Sequence, residues 1–122
     1  MKTKLTLLLI ESQGFASRNV IPRIAFLTDS KGEFINKYIS SKTTEQTLRD
    51  LTHQSCNLDF NSVSTKICDC IHEVGSNETE VIYYSLVSSG ILCAKAGYQI
   101  TPIDKILIKE KYVRSIQAIP RF

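Results

Sequence analysis

The sequence predicts an α+β fold, with a mixed or antiparallel sheet and two principal helices packed on it. Three observations carry that expectation. Apolar runs of strand length recur, most clearly at Leu5 to Ile10 and Val81 to Val87. The stretch from Thr43 to Ser55 opens on the spacing of a helix capping box. A second helix start is written at Thr101-Pro102, where a capping threonine precedes a proline in the first helical position. The chain has 122 residues, of which 43% are hydrophobic and 22% charged. That fits a single domain over 1–122, which buries roughly 65% of its unfolded surface.

Each element has a local reason. Leu5 to Glu11 is flanked by Lys4 and by Ser12-Gln13-Gly14, and suits a buried strand; a helix this short would not persist alone. After a loop over residues 13–19, Ile21 to Thr28 reads as a second strand, with Pro22 near its start where a missing N–H is tolerated. Asp29-Ser30-Lys31-Gly32 is a turn. Glu33 to Ile39 is then expected to return as the other half of a hairpin. Thr43 and Gln46 cap a helix over Thr44 to Ser55, with Glu45 in its first turn and a thin apolar face of Leu48 and Leu51. Residues 57–62 form a loop that carries Leu58 and Phe60 inward. Ser64 to Val74 and Glu80 to Ser88 flank the turn Gly75-Ser76-Asn77 as a long antiparallel hairpin. Ile91 to Ala94 reads as a short strand. The last helix is expected from Thr101 to about Ala118, stopped by Pro120, packing through Ile103, Leu107, Val113 and Ile116.

Charge and cysteine usage narrow the function classes. The net charge of +3 is mild, so duplex DNA is not expected as a partner. No unbroken apolar run is longer than Leu7 to Ile10, which is far too short to span a membrane as a helix. Met1-Lys2-Thr3-Lys4 before Leu5 has the outline of a secretory signal, but the apolar stretch stops at Glu11, and a strand is expected instead. Cys56, Cys68, Cys70 and Cys93 show no Cys-x-x-Cys spacing. Reduced thiols and a cytoplasmic location are expected.

Several clusters invite chemistry. Cys68, Cys70 and His72 share one face of an expected flat strand. Same-face neighbours there lie roughly 7 Å apart, whereas two thiolates on one zinc lie within about 4 Å of each other. No metal site is therefore expected. Asp50 and His53 stand on adjacent turns of the first helix and can share a proton or hold a cation. A solvated polar face is the preferred reading. Lys31, Lys37, Lys42 and Arg49, with Arg18 and Arg23, put positive charge around Phe34 and Tyr38, a pattern that can stack bases and hold phosphates. Solvated lysines over core aromatics are the plainer account. Lys105, Lys109, Lys111 and Arg114 are interrupted by Asp104 and Glu110, and read as a solvated face. No Gly-x-Ser-x-Gly, Gly-x-Gly-x-x-Gly or phosphate-loop motif is present.

The order strand, hairpin, helix, long hairpin, short strand, helix resembles the Nudix fold, an α/β/α sandwich. Arg23 to Leu58 carries the likeness and Thr79 to Val87 supports it. The family signature reads Arg-Glu, aliphatic, any residue, Glu-Glu, any residue, Gly, aliphatic. Arg49 and Leu51 match it. Asp50 stands for the first glutamate, His53 and Gln54 for the glutamate pair, and Cys56 for the glycine. In a gapless count Ile35 and Ser41 occupy the upstream glycine and glutamate. The box is thus degenerate. In Nudix enzymes those glutamates bind magnesium, which wants hard oxygen ligands, and help to activate water against a diphosphate.

The resemblance therefore implies a non-catalytic binding or interaction module, regulatory or part of a larger assembly. Arg23, Lys37, Arg49, Asp50 and His53 are its ligand-binding candidates, and no cofactor is needed. Asp50 would be the local partner left to Arg49. A protein partner is expected, with nucleotide or RNA as further candidates. The alternatives are an active phosphohydrolase on nucleoside diphosphate derivatives, and a small protein that binds RNA or single-stranded nucleic acid. The hydrolase would use magnesium with Asp50 and Glu45, or acids such as Glu73 and Glu78.

Overall fold

The leucine-rich run near the N-terminus becomes the centre of the sheet. In the computed structural model, which describes residues 2–12, 24–88 and 90–119, strand β1 spans Lys2–Ser12, with residues 5–11 all buried. A strand covered on both faces has no polar face to alternate with, which is why the run is continuous. Around it lie β2 (Ile24–Asp29), β3 (Ile35–Tyr38), α1 (Thr44–Ser55), β4 (Thr65–His72), β5 (Glu78–Val87), β6 (Tyr98–Pro102) and α2 (Glu110–Gln117). The six strands form one mixed sheet in the order β4-β5-β1-β2-β6, with β3 also paired to β1. β1 and β5 run parallel, from Lys2 opposite Glu78 to Glu11 opposite Val87. The other pairs are antiparallel.

The two faces carry separate cores. Leu5, Leu7, Leu9 and Leu27 pack with Leu48 and Leu51 of α1 on one side. Leu8, Ile10, Phe26, Phe34 and Ile82 pack with Tyr112 of α2 on the other. The expected α+β sheet with two helices is thus observed. No described helix is long and apolar enough to cross a membrane.

α1 matches its expected bounds. Thr43 accepts from the Gln46 N–H, and the Gln46 side chain accepts from the Thr43 N–H, so the capping box closes in both directions. The helix buries three hydroxyl residues beside two leucines. Thr47, Thr52 and Ser55 donate to the carbonyls of Thr43, Leu48 and Leu51, four residues back. Such local bonds remove the cost of burying hydroxyls, so a thin apolar face suffices.

The hairpin expected of β2 and β3 is reduced to its turn and one bridge, Thr28 opposite Phe34. Asp29 Oδ1 accepts from the N–H groups of Lys31 and Glu33, and Gly32 takes φ 80°. β3 then pairs with β1, whose N-terminal half is still open: Leu7 faces Ile35 and Lys4 faces Tyr38. Burying Ile35 in the α1 core favours this pairing over a free hairpin arm. The strand expected at 91–94 is a turn with a single bridge, Ala94 to Cys56.

The last helix departs most from expectation. Thr101 and Pro102 end the edge strand β6, where Pro102 faces Ala25 and Thr101 faces Phe26. The Thr101 hydroxyl lies 2.8 Å from that of Thr28, so it does not cap a helix. A 3-10 turn over Ile103–Lys105 follows, and α2 begins only at Glu110. Between them Ile106 and Ile108 pack on the α2-side core, while Leu107 is 94% exposed. That is strand alternation. Ile103 and Ile116 pack as expected, but Leu107 does not, and Val113 is 41% exposed. Tyr112 and Ser115 are buried in their place. Pro120, expected to stop the helix, lies outside the described residues.

Candidate functional site

Neighbouring residues on a helix point about 100° apart, and α1 uses this to build two polar groups from adjacent positions. Asp50 takes the ammonium of Lys42, from the loop before the helix, at 2.5 Å. That hydrogen bond holds the Asp50 carboxyl below its ordinary range against a smaller desolvation cost, and the charges of Lys42, Lys37 and His53 act in the same direction. Lys37 comes from β3, opposite Leu5 on the α1 side of the sheet. His53 is exposed one turn after Asp50. Of the sequence-derived candidates, Lys37 and His53 thus act on Asp50 through their charge. Arg23 and Arg18 lie outside the described residues.

Arg49 turns the other way. Its Nη2 donates to Asn61 Oδ1 at 3.2 Å and reaches Glu45 Oε1 at 3.5 Å. Its guanidinium lies 6.0 Å from the Phe60 ring centroid. Arg49 Nε is buried with no hydrogen-bond partner among the described residues. The Arg49–Asp50 pairing implied by the family resemblance is thus replaced by Arg49–Glu45 and Lys42–Asp50, because positions i and i+1 do not face each other while i and i+4 do. The carboxylates of Glu45 and Asp50 each have a cationic partner, on different sides of the helix.

The C-terminal end of α1 is clamped by residues 91–95. Lys95 donates from its backbone to the Ser55 carbonyl at 2.9 Å, and from its side chain to the His53 carbonyl. The Asn57 amide takes the Cys93 N–H at 2.7 Å and gives to the Ile91 carbonyl at 2.9 Å. A cationic side chain at the last carbonyls also suits the helix dipole. The result is a helix tied at both ends, with Lys42 paired to Asp50 and the charge of Lys37 acting on the same carboxylate. An excess of positive charge at a half-exposed rim attracts anions.

The three-residue cluster on β4 is broken up. A register shift between Ile67 and Asp69 places a bulge at Cys68. Cys68 turns to the α2 core, while Cys70 and His72 stay exposed. The flat strand that put all three on one face is not present, since a bulge flips the alternation. Among the described residues no group of three His, Cys, Asp or Glu is placed to hold a metal, and all four thiols are free. Phe34 is equally unavailable for stacking bases: it is buried, with its ring 5.3 Å from Tyr112 and 5.2 Å from Phe26. Tyr38 is exposed and donates to Glu78 at 2.6 Å.

A polar network on the α2 side escaped the sequence. Glu80, 4% exposed, accepts from Thr6 of β1, from Tyr112 at 2.6 Å and from Lys111 at 3.1 Å. Burial alone would raise this carboxyl; the three hydrogen bonds outweigh it and hold it below its usual value. Burial and the bond to Glu80 push the Tyr112 hydroxyl far above its ordinary value. Two small clefts flank the network, one bordered by Lys4, Phe34, Asn36 and Tyr112, the other by Ile71, Glu73, Glu78 and Lys111. The only hint in the sequence is that Glu78, Glu80, Ile82 and Tyr84 share a face by period two.

Comparison with known proteins decides the fold. No protein-family model matches the chain, and no curated protein matches it. Solved structures do. A mutT/nudix family protein from Listeria innocua superposes with a TM-score of 0.57 at 11% identity, over 84% of this chain and 78% of that one. The NUDIX domain of Shewanella oneidensis NrtR, in a structure complexed with ADP ribose, gives 0.63 at 9% identity, over 95% of this chain and 84% of that one. The fold is Nudix-like. At such identities the likeness concerns the backbone arrangement alone, with the mixed sheet between α1 and α2. What the Nudix-like frame does in this chain depends on its own side chains.

Proposed function

We propose that this chain is a non-catalytic Nudix-like module that binds a phosphate-bearing nucleotide at the Asp50 side of α1, through Lys37, Lys42 and His53. The observation that carries the reading is the 2.5 Å Lys42–Asp50 pair. Magnesium is held by clustered carboxylate oxygens; at Asp50 an ammonium stands where a divalent cation would need to be, and Glu45 faces Arg49 instead. His53 and Gln54 bring no fixed negative charge. The local sign favours an anionic ligand and disfavours a metal. The ADP-ribose of the Shewanella complex makes that nucleotide the first probe. Such a module would act by presenting its ligand-bound surface to a protein partner in the cytoplasm.

Calorimetric titration with ADP-ribose and with nucleoside diphosphates tests the binding. Lys37→Ala and Lys42→Ala should each weaken it by about tenfold, the order of one charge-assisted hydrogen bond. Nucleotide or phosphate release is measured in parallel with magnesium or manganese, against nucleoside triphosphates, nucleotide sugars and capped RNA. No turnover that Asp50→Ala abolishes is expected. Turnover lost in that variant would replace this reading with the phosphohydrolase that uses Asp50 and Glu45. Binding of single-stranded RNA without binding of nucleotides would replace it with a nucleic-acid module.

A further inference from the structure

The second helix is short, and its apolar contacts to the core run through Tyr112 and Ile116. It has eight residues and no side-chain cap, and buries only Tyr112 and Ser115. A helix of this length has no stability of its own. Its polar anchors are acids on the β4–β5 hairpin. Asp69, at the bulge, accepts from the Ser115 hydroxyl at 2.9 Å and from Arg114 at 3.3 Å. Glu80 accepts from Tyr112 and Lys111, as described above. Tyr112 borders one of the two clefts, and Glu80 and Lys111 border the other.

We propose that α2 is a latched cover: ionised Asp69 and Glu80 hold it on the sheet, and their protonation releases it, joining the two clefts into one groove. The groove would be floored by Thr6 and Glu80 and walled by Phe34 and Ile71. This device is separate from whatever binds beside Asp50, which is on the opposite face.

The electrostatic surroundings favour such a latch. From β1, Lys4 acts on Glu80 in the same direction as its hydrogen bonds. Tyr38 of β3 feels the Glu80 charge. Glu73 and Glu78 share the cleft beside it. Around Asp69, burial is outweighed by the Cys70 N–H, Ser115 and Arg114, while the neighbouring Cys68 thiol is pushed up by burial and by the Asp69 charge. Both carboxyls therefore sit below their ordinary values when α2 is docked. A depressed carboxyl stabilises the docked form fully above its free value, about pH 4, and that contribution disappears as pH falls through the docked value. Protonated Glu80 would lose its ion pair with Lys111 and accept more weakly from Tyr112.

Amide hydrogen exchange resolved by segment tests this, with β1 and β5 as internal references. In Glu80→Gln at pH 7, exchange of residues 110–117 should rise about tenfold, the order of one hydrogen bond to a charged group. β1 and β5 should keep their protection. In the unsubstituted protein, α2 protection corrected for intrinsic exchange should hold down to the free carboxyl value, about pH 4, and fall as pH drops below it, with a smaller fall in Glu80→Gln. Tyr112→Phe keeps the ring and removes only the hydroxyl. It should loosen α2 by a lesser factor, and serves if Glu80→Gln does not fold. Unchanged α2 exchange in these variants would overturn the latch, as would loss of protection in β1 and β5 in step with α2.

Discussion

α1 and α2 cover opposite faces of the same sheet, yet are held by different means. α1 is stabilised largely within its own sequence: a reciprocal cap at Thr43 and Gln46, hydroxyls bonded one turn back, and two leucines directed at β1 and β3. α2 lacks a side-chain cap and depends on Asp69 and Glu80, which lie 45 and 32 residues from the Arg114 and Tyr112 they hold. A helix secured by short-range signals keeps its ends wherever the chain places it. One secured by distant polar partners depends on where those partners are placed, and α2 offers only eight residues to them.

The sharpest break in that contrast would come from α1's apolar contact. Leu51 is 2% exposed in the α1-side core, and Leu51→Ala should lower the unfolding free energy by about 3 kcal/mol, read by denaturant titration. A loss as small as that of an exposed site would mean that α1 is as loosely packed as α2. A smaller effect is expected at the cap: Thr43→Ala should cost about 1 kcal/mol, and Thr43→Ser much less, because the hydroxyl is the part that bonds the Gln46 N–H. The smallest belongs to Val113. A continuous helix from Thr101 would bury it, and Val113→Asp would then cost several kcal/mol. On the observed helix it points outward, and Val113→Asp should change the unfolding free energy by no more than about 0.5 kcal/mol, read by the same titration.

These cases also separate what could be read from the sequence from what could not. β1, the long hairpin and α1 announce themselves through periodicity, a Gly-centred turn and a capping box, all local patterns. The parallel partnering of β1 with β5 has no local signature, nor does the transfer of β3 from β2 to β1. The misjudged start of α2 shows how a local pattern misleads: Thr101-Pro102 has the form of a helix start, but the same threonine pairs with Thr28 across the sheet, and Pro102 is equally at home at the end of an edge strand. At the candidate site, Lys37, Asp50 and His53 were identifiable by residue type. That Lys42 rather than Arg49 answers Asp50 depends on the path of the loop from β3 to α1. The bulge at Cys68, which dissolves the cysteine-histidine cluster, has no marker such as a glycine.

The parallel ladder between β1 and β5 has a consequence for how the chain is made. Every pair in it joins residues 76 positions apart, from Lys2 and Glu78 to Glu11 and Val87. Leaving the ribosome, this apolar strand must wait for 76 further residues before its longest partner exists. Until then the β5 edge of Leu5 to Ile10 stays unpaired, a β-prone segment of the kind that chaperones shield and that seeds aggregates when they do not. Loop closure over that distance comes before the contacts that reward it, so slow folding is expected to be set by this one pairing.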